Sequence, residues 1–239
     1  MPHDRTYVSM SASILPVSVD ESGRPFMVLA QPSMLGLCAM QGGCNTGLSD
    51  WGGKLRAGES TVDGALREFD EESGGLINMG CSRQELKVAL EKLTHPVLAC
   101  INMARACTGI HRTYVVQIPH DSHLPERFNF HWNHLMQLLP AHTRLRRARQ
   151  MSNTLHVPTV QHELQLAEEE WLRRLDDSPE SIKSHPAMRH NFSMSYLEKG
   201  GCQLIPFPSC QEEIRPRFDG ERVRAVINTV TKTLLMCLQ

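Results

Sequence analysis

A mixed α/β (α+β) domain is the fold class this sequence predicts. Short apolar stretches of strand length alternate with two amphipathic helical stretches, and 41% hydrophobic against 21% charged residues supply a core for a chain of 239 residues. Residues 13–19 and 26–31 flank the polar turn Asp20-Glu21-Ser22-Gly23-Arg24 and read as a β-hairpin. Gly36, Gly42, Gly43 and Gly47 make residues 33–50 loop-like. Residues 60–73 and 84–93 read as helices, and 96–101 and 112–118 as strands. Residues 119–160 are polar and rich in His and Arg, and read as an insertion. A last strand is expected near residues 163–171. Beyond the Pro- and Ser-punctuated residues 178–220, a final helix is expected over 221–238, with Val223, Val226, Ile227, Val230, Leu234 and Leu235 along one side. The expected organisation is a core over residues 1–178 carrying the insertion at about 119–160, with a helical C-terminal extension over 179–239 packed on it.

Composition limits the function classes. A net charge of −1 points to no partner by itself, so only local clusters are informative. The eight Cys are scattered and form no C-x-x-C pair, which reads as buried free thiols in a reducing compartment rather than a disulfide framework or a zinc site. No apolar stretch approaches the roughly 20 residues that span a bilayer, and residues 1–5 carry no apolar signal core. A soluble, cytoplasmic protein without a membrane partner is expected.

The densest chemistry lies between Gly53 and Gly74. The segment reads Gly53-Lys54-Leu55-Arg56-Ala57-Gly58-Glu59, then seven residues, then Arg67-Glu68-Phe69-Asp70-Glu71-Glu72-Ser73-Gly74. Ser60 or Thr61 fits an N-cap, Asp63 in the first turn suits the helix dipole, and Gly74 fits the residue that ends the helix. On that helix Glu68, Glu71 and Glu72 stand at i, i+3 and i+4 and share one face, while Val62, Leu66 and Phe69 share another. Three like charges so close repel, and hard divalent cations such as Mg²⁺ or Mn²⁺, which take oxygen ligands, would offset that repulsion. Arg67 borders the acidic face and can orient a carboxylate through a forked hydrogen bond. A glycine-rich loop before the helix admits close approach of backbone to a ligand. Carboxylate-held metal beside such a loop suits displacement by water at a phosphorus atom.

These residues resemble the Nudix signature, G-x5-E-x7-R-E-U-x-E-E-x-G-U, where U is a bulky apolar residue. Gly53, Glu59, Arg67, Glu68, Glu71, Glu72 and Gly74 fall on its fixed positions and Phe69 on the first U. At about 7% for each common residue type, seven such matches arise by chance on the order of 10⁻⁸ per register. Gly75 departs from the second U, with Leu76 and Ile77 following to fill that role. Trp51 stands where the family commonly has proline before the Gly pair. The resemblance implies a mixed β-sheet sandwiched between helices and a hydrolase of diphosphate linkages. It implies metal binding by Glu68, Glu71, Glu72 and the Gly53 carbonyl, and positioning of loop and helix by Glu59, Arg67 and Gly74. Many members draw a further glutamate from a distant loop, and Glu163 is the candidate here, with Glu168, Glu169 and Glu170 as competitors.

Substrate clues lie elsewhere. Arg144, Arg146, Arg147 and Arg149, with Lys54 nearer the signature, are candidate contacts to phosphate or an RNA backbone. The arginine run fits equally a solvated helix face paired with acids. Phe130 and Trp132 are candidates for base stacking or for a core-facing helix or strand. His120/His123 and His131/His134 have H-x-x-H spacing but no third zinc ligand. The substrate expected is nucleotide-containing, with 5′-capped mRNA foremost, because the architecture is similar to that of viral Nudix proteins that remove caps. Two alternatives stand beside it: a small-molecule Nudix enzyme acting on ADP-ribose, nucleotide sugars, dinucleoside polyphosphates or nucleoside triphosphates, and a non-catalytic module of the same fold.

Overall fold

The structure is a computed structural model that describes residues 9–33, 48–92, 97–102, 109–155, 157–185, 188 and 199–206. Most of the glycine-rich loop and the helix expected over 221–238 lie outside these residues. Six strands form one mixed sheet: β1 (Ser9–Val19), β2 (Pro25–Pro32), β3 (Trp51–Lys54), β4 (Val97–Asn102), β5 (Gly109–Gln117) and β6 (Lys199–Pro206). The order is β4-β5-β1-β2-β6, with β3 paired to β1 off that path. β1 organises the whole. It runs parallel to β5 along its length, antiparallel to β3 at residues 11–14 and antiparallel to β2 at residues 17–19. The expected hairpin is present, and Asp20 closes its turn by accepting from the backbone N–H groups of Ser22 and Arg24.

Five helices complete the described chain: α1 (Thr61–Ser73), α2 (Arg83–Glu91), α3 (Leu124–Thr154), α4 (Pro158–Asp176) and the single turn α5 (Glu180–Lys183). Side chains alternate across β1. Ala12 and Ile14 join Val28, Ala30, Trp51, Tyr114 and Val116 in one cluster, which receives Leu66 and Phe69 of α1, Leu86 and Leu90 of α2, and Phe128, Leu135 and Leu138 of α3. Leu15, Val17, Met27, Leu29 and Val115, of the opposite parity, are buried as well. Both faces of the sheet are therefore covered. The indole of Trp51 sits within this core, 6.3 Å from the Phe69 ring and 5.6 Å from the Phe128 ring, and donates Nε1–H to the Val28 carbonyl at 3.0 Å. None of the helices among the described residues is long and apolar enough to cross a membrane.

Three expectations change. The stretch read as a polar insertion holds the long helix α3, whose inward residues build the main core. The strand expected near residues 163–171 is part of α4. Leu164, Ala167 and Trp171 recur there at helical spacing and pack on Leu145 and Ala148 of α3. Residues 199–206, assigned to a helical extension, are strand β6, paired with β2 in the central sheet.

Candidate active site

The loop and helix from Gly53 to Gly74 form as the residue types dictate. Ser60 caps α1, its Oγ accepting from the Asp63 N–H at 3.0 Å. Gly74 ends the helix in the left-handed region at φ 58°, its N–H bonded to the Asp70 carbonyl at 3.1 Å. Val62, Leu66 and Phe69 are buried, as the helical spacing requires, and Ile77 fills the core where Gly75 leaves the second apolar position empty.

Arg67 is the hub. Its Nε and Nη2 fork onto Glu59, at 2.7 Å to Oε1 and 2.9 Å to Oε2. Nη1 donates to Glu68 at 2.8 Å and to Glu71 at 3.2 Å, and Nη2 also reaches the Lys54 carbonyl at 3.1 Å. One guanidinium thus ties the end of β3, the loop and the acidic face of α1 together. Its hydrogen bond to Glu59 leads the causes that bring the Glu59 carboxyl down to about 2, and the same bond raises Arg67 itself. Glu59 also accepts the Arg56 N–H at 2.8 Å, closing the loop. Gly53 lies against this network. A Cβ there would come within 2.7–2.8 Å of the Glu68 carboxyl group, so a side chain at 53 would have to displace Glu68.

Glu72 is handled differently from its two neighbours. Only 4% exposed, it accepts the Gly52 N–H on Oε2 at 2.9 Å and faces the Lys199 ammonium from Oε1 at 3.1 Å. Burial pushes its carboxyl up to about 8, with Glu68 adding to the push and Lys199 and Gly52 opposing it. The expected acidic face is therefore graded: Glu71 the most open, Glu68 half-buried, Glu72 enclosed.

Sequence reasoning missed two contributors. Lys199 opens β6, in a stretch read as irregular, and no local pattern marks a lysine that will be buried. Asp50, just before β3, accepts on Oδ2 from Ser13 Oγ at 2.5 Å and Thr113 Oγ1 at 2.9 Å, with His111 Nε2 at 3.4 Å. Burial favours its neutral form, but His111, Ser13 and Thr113 outweigh that and hold the carboxyl far below the usual range. This cluster anchors the start of β3 to β1 and β5, two residues before Gly52.

Most of the remaining candidates lie in the α3/α4 layer. Arg144 binds Glu163 and Glu170, each at 2.9 Å, and Arg149 binds Glu168 at 3.2 Å. Glu163 is thus on a helix and engaged by an arginine, where a distant catalytic loop had been expected. Two of the four run arginines serve the alternative reading, a helix face paired with acids. Arg146 and Arg147 carry no ion pair among the described residues. Phe130 is 45% exposed and lies against His134, with ring centroids 4.3 Å apart, whereas Trp132 packs on the main core. His120 bonds Ser18 and His123 faces Glu126, so that pair does not converge. His131 is buried beside His185. Lys54 is exposed at the end of β3.

Among the described residues no three acidic, His or Cys side chains converge as a ready metal cage. The donor set nevertheless fits a hard divalent cation. Glu68 abuts the Gly53 backbone, and the buried Glu72 demands a cation that a single lysine now supplies.

No family model matches the chain, and no curated relative does. Solved structures to which it is similar include an Ap4A hydrolase from C. elegans, at 15% identity over 48% of this chain and 69% of that one, with a TM-score of 0.33. A mutT/nudix family protein from Listeria innocua is 11% identical over 97% of this chain and 99% of that one, with a TM-score of 0.42. A NUDIX hydrolase from Nitrosomonas europaea is 15% identical over 47% and 60%, with a TM-score of 0.27.

Proposed function

We propose that this chain is a Nudix-type pyrophosphohydrolase that cleaves a diphosphate linkage in a nucleotide-containing substrate with the help of Mg²⁺ or Mn²⁺. The observation that carries the reading is the Arg67 hub. Most fixed positions of the signature have a physical task in or beside this network: Gly53 gives room for Glu68, Glu59 receives the fork, Glu68 and Glu71 are held in place, and Gly74 closes the helix, while Glu72 is held separately by Gly52 and Lys199. Residues 68, 71, 72 and the Gly53 carbonyl would hold the metal. When bound, it supplies charge neutralisation of the diphosphate oxygens and polarisation of a water for attack at phosphorus. The chain's own part is positional. Arg67 fixes the acids before substrate arrives, so little reorganisation accompanies the reaction.

The substrate reading turns on the surface cations. With Arg144 and Arg149 engaged by glutamates, Lys54, Arg146 and Arg147 remain for an RNA backbone, and small nucleoside diphosphate derivatives stand level with capped RNA. The test is an assay with Mg²⁺ or Mn²⁺ of capped RNA beside dinucleoside polyphosphates, ADP-ribose, nucleotide sugars and nucleoside triphosphates, with EDTA as control and products identified. Cleavage of one class at a phosphoanhydride, abolished by EDTA, is the expected result. Failure to cleave any of them, or cleavage that survives EDTA, overturns the reading in favour of a non-catalytic module.

A further inference from the structure

Both oxygens of Glu72 are engaged. A carboxylate that is 4% exposed must be paired to remain charged. Its partners come from two distant parts of the chain, the Gly52 N–H on Oε2 and the Lys199 Nζ on Oε1. Lys199 is itself 8% exposed, and its ammonium also donates to Ser49 Oγ at 3.3 Å. Ser49 is bridged to Ala30 of β2, and β6 is paired along β2 up to Pro32, so the lysine is delivered by the sheet and not by a loose side chain. Glu68 and Glu71 cannot readily turn to compensate, because Arg67 holds both. A Mg²⁺ ion on Oε1 would lie about 2.0–2.1 Å from it. The ammonium already stands 3.1 Å from that oxygen, and two cations so close repel strongly in a buried setting.

We propose that Lys199 is a resident counter-ion of the metal site: its ammonium takes the place on Glu72 Oε1 that a divalent cation needs, so loading requires Lys199 to leave Glu72, and Lys199 thereby sets the metal affinity. The proposal rests on the metal-dependent reading above.

The test measures Mn²⁺ binding by titration calorimetry on the full chain, with Tm in EDTA as an independent readout. Lys199→Met keeps the stem and removes the charge. It is expected to bind Mn²⁺ about tenfold or more tightly than the unaltered chain and to have a lower Tm in EDTA, because the buried contact between Lys199 and Glu72 is lost. The double variant Glu72→Gln/Lys199→Met also removes the buried carboxyl that Lys199 had offset, and its Tm in EDTA should rise back above that of Lys199→Met. That comparison remains readable if Lys199→Met folds poorly. Mn²⁺ binding by the unaltered chain that Lys199→Met does not tighten, or a double variant no more stable than Lys199→Met, overturns the proposal and leaves the hydrolase reading standing. Absence of Mn²⁺ binding in both proteins, with no substrate cleaved, instead overturns the hydrolase reading.

Discussion

Arginine and glutamate do different work in two regions of this molecule. Around α1, one arginine serves three glutamates, all tied to the end of β3, and the hub side chain is only 14% exposed. Along the α3/α4 pair, Arg144 and Arg149 meet Glu163, Glu170 and Glu168 in exposed bridges between two helix faces, and Arg174 meets Glu170 within α4. The first arrangement is crowded with negative charge and holds a geometry. The second balances its charges and orients two helices. Burial and connectivity decide the role, since the residue types are the same.

The contrast can be broken most sharply by exchanging one glutamate in each region. Glu72→Gln is expected to lower kcat by about a hundredfold or more, whereas Glu163→Gln should leave it within about twofold. A large loss at Glu163, measured on the same substrate, would bring the α3/α4 layer back into the chemistry. Phe128→Ala tests where the two regions join. It removes a fully buried ring packed on Trp51 and should cost about 3–5 kcal/mol in denaturant unfolding. Arg67→Met strands Glu59 and Glu68 and should cost about 3 kcal/mol. Arg144→Ala, at an exposed site, should move Tm by no more than about 2 °C.

Acid should separate the regions too. Burial brings His185 down to about 4 from an ordinary 6.5, and burial lowers its neighbour His131 as well. A group depressed in the fold contributes stability above its unfolded value, so this contribution is complete above pH 6.5 and is lost as pH falls through about 4. Glu59, brought from 4.5 to about 2, gives up its contribution only as pH falls through that lower window. Glu72 works in the opposite sense, its contribution present below 4.5 and lost as pH rises through about 8 in the metal-free chain. Tm followed against pH should therefore show a decline between pH 6.5 and 4 that His185→Phe flattens and Arg67→Met does not.

The α1 region was legible because its information is local. Cap, spacing and terminating glycine lie within one stretch of chain, and the hairpin and β5 are legible for the same reason. The α3 helix was obscured because its inward seam passes through His131, Ala141, Ala148 and Ser152 as well as Leu124, Phe128, Leu135, Leu138 and Leu145. Regular spacing of three and four was there, but diluted in apolar character, with Pro140 inside it. Three consecutive glutamates beside Trp171 disguised α4 in the same way. Lys199 and Asp50 had no local mark at all. Each acquires its role only when the sheet brings it to residues far away in sequence, Glu72 in one case and His111 in the other.

Trp51 links the two regions by direct ring contact, one residue before Gly52. Change at position 128 in the outer layer will therefore be felt at the backbone that faces Glu72. The far end of the α3/α4 pair is different, since its apolar contacts end in the small seam of Leu145, Ala148, Leu164, Ala167 and Trp171. Evolution or design has room to remodel the molecule there. Around Trp51, the outer layer and the loop before α1 can vary only together.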